Sequence, residues 1–306
     1  MIYEIRHVTA YAYASPVPYA RHLIRLRPVA RRHQRIDWAT IDVEPVPTER
    51  GEGVDFFGNG LTRVLIDSPH EGLVVSLEAR LEIAPPPLLD AATTPAFEAV
   101  RGAAFAAASL DPASPTHFLF PSRLVGVPEA IRVYAGKSFP PGRPVLAGAI
   151  ELMERIHADF VYEQGVTDAT TLPLMAFEMR RGVCQDFAHV MIAGLRALGL
   201  PAAYVGGYLR TVPPPGEKRL EGADAMHAWV SVWCGAATGW VDLDPTNAIL
   251  ATTDHIVLSV GRDYADVAPV AGVIVGAGDQ RLDVAVDVVP VDAVDEGSMP
   301  DADVHR

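Results

Sequence analysis

Arg181-Gly182-Val183-Cys184-Gln185-Asp186-Phe187-Ala188-His189-Val190 carries one of only two cysteines in the chain. Apolar residues follow at Phe187, Val190, Met191, Gly194, Leu195 and Leu198, the spacing of a helix and not of a strand. Gly182 breaks the chain just before this pattern, and Gly199 with Pro201 ends it. Cys184 therefore falls at, or within one residue of, a helix N-terminus. Unpaired backbone N–H groups and the positive end of the helix dipole favour a thiolate there. Asp186 suits the same first turn. A structural cysteine would more naturally sit mid-helix on the apolar face, so Cys184 reads as a nucleophile.

Forty-three residues on, His227-Ala228-Trp229-Val230-Ser231-Val232-Trp233 alternates like a strand, with His227, Trp229, Ser231 and Trp233 on one face. Gly239-Trp240-Val241-Asp242-Leu243-Asp244 is a second strand, stopped by Pro245. The link Ala236-Ala237-Thr238-Gly239 has hairpin length. Adjacent antiparallel strands would bring a histidine and a carboxylate close together. A nucleophile, a base and a group that orients the base are then all in hand.

Gly182-Val183-Cys184-Gln185-Asp186-Phe187-Ala188, Leu195-Arg196-Ala197-Leu198-Gly199-Leu200-Pro201-Ala202, Gly207-Tyr208, His227-Ala228-Trp229 and Asp244-Pro245-Thr246-Asn247 resemble, in that order, the bacterial transglutaminase-like cysteine protease family. Gly261-Arg262-Asp263-Tyr264-Ala265-Asp266-Val267 and Pro269 look like its C-terminal signature. Ile5-Arg6-His7-Val8-Thr9, Leu23-Ile24-Arg25-Leu26-Arg27-Pro28 and Phe57-Gly58-Asn59 are similar to the β-rich region that precedes the family's core. The resemblance implies an α+β fold: a papain-like, transglutaminase-like core behind an antiparallel β-rich N-terminal domain. It also implies a Cys184, His227, Asp244 triad, with the acid at the Asp-Pro-Thr motif. Met226 departs from the pattern, where a small polar residue is expected before His227.

At 306 residues the chain suits two domains, and a hydrophobic fraction of 49% supplies a real core. A formal charge of −13 argues against a nucleic-acid partner. No apolar run approaches the roughly 20 residues a membrane helix needs. The N-terminus lacks the plan of a secretory signal, so the expectation is a cytoplasmic enzyme without a membrane partner. Two cysteines make no disulfide framework and no zinc cluster. No cofactor and no metal are implied, and no acidic calcium loop is visible.

Residues 1–86 read as strands (3–13, 36–43, 61–66 and 73–83), with 73–83 alternating as in a sheet with one wet face. Residues 87–145 read as a helical and looped connection, 146–290 as the catalytic core and 291–306 as a mobile acidic tail. Within the core, 144–159 and 174–179 read as helices. Arg21, Arg25, Arg27, Arg31, Arg32 and Arg35 form either an anionic site or, as base rates favour, a solvated and partly paired face. Residues 213–216, Pro-Pro-Pro-Gly, read as a protruding loop that either flanks the cleft or is a passive connection. Gln185, Asp242 and Tyr162 are auxiliary candidates, with the backbone N–H of Cys184 the preferred oxyanion donor. His189, His157, His7, His70 and Cys234 read as structural. The expected chemistry is cleavage of a peptide or protein amide through a thioester. Transfer of the acyl group to an amine, and a non-catalytic binding module on the same fold, stand as alternatives.

Overall fold

A computed structural model describes residues 1–211, 224–276 and 278–291. The proline loop at 213–216 and the tail beyond 291 lie outside the described residues. The chain opens with β1 (Ile2–Val17), β2 (Tyr19–Ile24), β3 (Gln34–Glu44), β4 (Glu49–Val54), β5 (Gly60–Ile66) and β6 (His70–Ile83). Period-2 patterning drives them: in β6, Leu73, Val75, Leu77, Ala79, Leu81 and Ile83 are all buried, while Glu78 faces water. Helices α1 (Phe97–Phe105), α2 (Glu129–Gly136) and α3 (Val145–Asp159) follow, then β7 (Val161–Tyr162), α4 (Pro173–Met179), β8 (Arg181–Gly182) and α5 (Cys184–Ala197). The last part is β9 (Ala202–Leu209), β10 (Ala225–Trp233), β11 (Trp240–Asp244), β12 (Ile249–Leu250), β13 (His255–Gly261), α6 (Tyr264–Val267), β14 (Val270–Val275) and β15 (Gln280–Val291).

Among the described residues the strands form two four-stranded sheets, β15-β1-β6-β3 and β14-β2-β5-β4, one five-stranded sheet, β12-β11-β10-β9-β13, and the short parallel pair β7-β8. The five-stranded sheet packs under α5, sharing a core of Val190, Met191, Tyr204, Val230 and Leu243. The other two sheets enclose a second core of Tyr3, Ile5, Ile24, Ile66 and Leu77, which Tyr208, Ile256 and Leu258 join from the five-stranded sheet. The architecture is α+β, as the resemblance implies.

Two segments sit differently from the sequence reading. Strands β14 and β15, assigned to the 146–290 core, pair with β2 and β1, with Ile5 opposite Val288 and His7 opposite Val286. Alternation marks a strand but not its partner, which here lies about 250 or more residues away. Only Val286 and Val288 of the alternating set are buried; Leu282 and Val284 are half exposed. The 87–145 segment is more than a connection, because Phe97, Val100, Ile131 and Tyr134 belong to the same core as α5.

Among the described residues, three of the six arginines in the group are ion-paired. Arg25 meets Asp55 at 3.2 Å, Arg27 meets Glu52 at 3.7 Å and Arg35 meets Glu82 at 2.7 Å. Two amide side chains fasten the N-terminal sheets to β13. Gln34 donates to the carbonyl of Val257 (2.8 Å) and accepts its N–H (2.9 Å). Asn59 does the same for Val260, at 2.8 Å each way. These bonds satisfy an edge that pairs with β9 on its other side.

The Gly261–Val267 stretch buttresses the core. Asp263 accepts from the N–H groups of Leu124 (2.7 Å) and Ala265 (2.9 Å). Arg196, buried on α5, donates to the carbonyls of Ala202 (2.8 Å) and Arg262 (2.6 Å).

Candidate active site

Helix α5 begins at Cys184, after an extended Val183. Asp186 sits in its first turn and turns back, its Oδ2 accepting from the N–H of Val183 (2.8 Å) and the hydroxyl of Thr167 (2.6 Å). This cap fixes the entry angle of the chain and thus the position of the sulfur. A Cβ on Gly182 would lie 2.4 Å from Asp186 Oδ2, so only glycine lets the carboxylate approach so closely. Burial raises the Asp186 pKa in spite of the bonds from Thr167 and Val183. Cys184 is partly exposed, whereas Cys234 is buried and its thiol is pushed up to about 12 by that burial.

The β10–β11 hairpin forms with Val230 opposite Leu243 and Ser231 opposite Asp242. It brings His227 Nε2 to 2.8 Å from Asp244 Oδ2. An ionised carboxylate only accepts, so Nε2 carries the proton. With Nε2 engaged, the other ring nitrogen is the one left for the Cys184 thiol, which acts on the imidazole to raise its pKa. Burial alone would lower the His227 pKa. Asp244 and Cys184 outweigh it and lift the imidazole to about 10.

Asp244 is fully buried and heavily supplied with donors. Its Oδ1 accepts from the N–H groups of Thr246 (2.9 Å) and Asn247 (3.3 Å). Its Oδ2 accepts from the Asn247 amide (2.6 Å), His227 and His255 Nε2 (3.3 Å). Burial would raise this carboxyl, but the histidine and amide bonds hold it well below the usual carboxylate range.

Asp244 is thus hydrogen-bonded to His227, and Cys184 acts electrostatically on the same imidazole. The auxiliary candidates stand apart from these three. Gln185 gives its amide to the carbonyl of Ala169 (3.1 Å). Asp242 accepts from the Trp229 indole N–H (3.1 Å), supporting the ring that stacks beside His227. Tyr162, half exposed, has its ring 6.5 Å from Phe187. His189 is buried and its Nε2 accepts the N–H of Tyr264 (3.2 Å). His157, read as ordinary, donates to the carbonyl of Thr246 (2.8 Å) and ties α3 to the turn after Asp244.

Sequence reasoning missed His255. Gly207 was the available signal: it pairs with His227 in the middle of a sheet, where glycine marks close approach. A Cβ there would come within 2.7 Å of the Trp229 ring and 2.0 Å of the Ile256 carbonyl. Its bareness leaves room for the Trp229 ring, which packs against both histidines.

His227, Asp244 and His255 place their ligand atoms within 4.8 Å of one another, the only such set of three among the described residues. Both imidazole Nε2 atoms already donate to the carboxylate. A metal would therefore have to displace two protons to bind here. A cavity of about 620 Å³ lies beside the trio, lined by Arg31, Phe57, Trp229, Trp240, Asp242 and His255 but by neither Cys184 nor His227. No helix among the described residues is long and apolar enough to cross a membrane.

Two further histidines set the acid sensitivity of the fold. Burial lowers both His7 and His189 to about 4. Each stays neutral in the folded chain, while the unfolded chain takes up a proton below about 6.5. Stability therefore falls as pH drops from about 6.5 towards 4. Urea midpoints at pH 7 and pH 4.5 check this. A flat profile would contradict it.

Residues 3–82 match the bacterial transglutaminase-like N-terminal region, and residues 139–245 match the transglutaminase-like superfamily. An uncharacterized protein of Mycobacterium tuberculosis is 38% identical over 292 residues, covering 94% of this chain and 92% of that protein. One from Mycobacterium leprae is 32% identical over 291 residues, covering 93% and 97%. A protein-glutamine gamma-glutamyltransferase of Pseudomonas aeruginosa is 35% identical over 99 residues, 31% of this chain and 15% of that protein. Among solved structures, a Cytophaga hutchinsonii protein provisionally described as a cysteine protease superposes with a TM-score of 0.73. The superposition covers 96% of this chain and 92% of that one at 22% identity, a likeness of fold.

Proposed function

Because the chain belongs to the bacterial transglutaminase-like family, carrying both its N-terminal region and its core, we propose that it is a thiol acyl-transfer enzyme that cleaves an amide. The observation that carries this reading is the His227 imidazole, bonded to Asp244 through Nε2 at 2.8 Å and raised in pKa by that carboxylate and by Cys184. The substrate is a peptide or protein amide. His227 takes the thiol proton of Cys184 on its nitrogen away from Asp244, Sγ attacks the carbonyl carbon, and the C–S bond forms as the carbonyl electrons move onto oxygen. His227 gives its proton to the departing nitrogen, the C–N bond breaks and a thioester remains. Water then adds with His227 taking its proton, and the thiolate leaves as the carboxylic acid is released. The N–H of Cys184, at the start of α5, is one of the helix donors with no acceptor in the preceding turn. It suits the oxyanion.

The test is a panel of peptide and glutamine amides, incubated with and without a primary amine and analysed by mass for an acyl adduct on Cys184. An adduct released by water supports hydrolysis. Release that needs the amine moves the reading to a transferase. If no adduct forms with any amide, and iodoacetamide labels Cys184 no faster than buried Cys234, the protein is a binding module.

A further inference from the structure

His255 opens β13, three strands away from β11 in the five-stranded sheet, and yet it reaches Asp244. We propose that His255 is a positioning residue for this site: its Nε2–H is a second imidazole donor on Asp244 that keeps the carboxylate ionised and aimed at His227. The proposal deepens the acyl-transfer reading and rests on it.

The tautomer follows from the neighbours of the ring. The backbone N–H of Thr252 donates to His255 Nδ1 at 3.1 Å, so that nitrogen is an acceptor. The proton must then sit on Nε2, which lies 3.3 Å from Asp244 Oδ2. That oxygen is the one His227 uses at 2.8 Å. The turn Thr246–Asn247 already supplies the donors a buried carboxylate needs for stability alone. His255 adds one on the atom that orients the base. A carboxylate so saturated is a poor proton acceptor, so the shared proton stays on His227. The imidazole then keeps its other nitrogen turned to the thiol.

The rings hold each other in place. Trp229 stacks on His227 with centroids 6.2 Å apart and 28° between planes, and it meets His255 edge-on at 5.2 Å and 82°. The strand itself is braced from the N-terminal sheets by Gln34 on Val257 and Asn59 on Val260. The N-terminal region thereby contributes to the site without touching it.

The test compares His255→Phe, which keeps a ring and loses the donor, with His255→Gln, which keeps an N–H donor. His227→Ala and Asp244→Ala serve as controls on the underlying reading. The readout is the rate of Cys184 alkylation by iodoacetamide at pH 6, alongside the urea midpoint. His255→Phe should slow alkylation about tenfold, the equivalent of one weak hydrogen bond to a charged group. His255→Gln should recover most of that rate. Wild-type alkylation in His255→Phe, with slow alkylation in His227→Ala, overturns the proposal and leaves the acyl-transfer reading standing. Unchanged alkylation in both controls sinks the reading itself. If His255→Phe does not fold, nitrogen-15 histidine spectra of the wild-type protein decide: Nε2–H at His255 supports the assignment, and Nδ1–H overturns it.

Discussion

Cys184→Ala is expected to abolish amide turnover, with a loss of at least about 10⁴-fold in kcat, and to leave the fold untouched. The size follows from the role. Without the sulfur no thioester forms, and His227 with the helix-start N–H can only assist direct attack by water. The intact fold follows from the position. Cys184 is the first residue of α5, partly exposed, and its side chain contributes nothing to the cap that Asp186 makes with Val183. Alanine is the best helix former, so the stability change should stay within about 0.5 kcal/mol. Cys234→Ala supplies the contrast. That thiol is buried with its pKa pushed up to about 12, so its removal should lower the urea midpoint and leave turnover per folded molecule unchanged. If the effects of the two substitutions on activity were exchanged, the nucleophile would be misassigned.

How far the sequence reached can be stated residue by residue. Cys184 was legible because a 3.6-residue apolar period, bounded by Gly182 and Gly199, fixes where a helix starts without any tertiary information. His227 and a carboxylate near it were legible because a short link joins two alternating strands, but Asp242 and Asp244 share a face, and only the resemblance, through Asp244-Pro245-Thr246, singled out Asp244. Contacts that close over long loops left no such trace. The pairing of β15 with β1 depends on the shape of a whole sheet, and so does the reach of His255 across Gly207 to Asp244. The arginine group shows the same limit from the other side. Spacing alone could not decide between an anionic site and a paired face, because Asp55 and Glu52 come from a different strand and turn.

The larger stability effect is expected at Asp244, where two substitutions separate function from folding. Asp244→Ala should destabilise the protein by about 3–5 kcal/mol, because it strands the buried donors of His227, His255 and Asn247. Asp244→Asn keeps the shape and one acceptor oxygen, so it should fold at a smaller cost. The amide cannot hold two imidazole N–H groups as a carboxylate does, and its NH₂ opposes one of them. The His227 ring then loses both its fixed tautomer and the charge that stabilises its protonated form, and kcat should fall roughly 10²- to 10⁴-fold. The pH dependence adds an independent check. The folded Asp244 carboxyl lies below the usual carboxylate range, so its stabilising contribution is present above about 4 and is lost as pH falls through the folded value. The gap in urea midpoint between wild type and Asp244→Asn should therefore be wide at pH 7 and should narrow under acid. A gap that stayed constant into acid would mean that Asp244 does not carry its charge in the folded protein. The imidazole of His227 would then have no ionic partner to hold it upright.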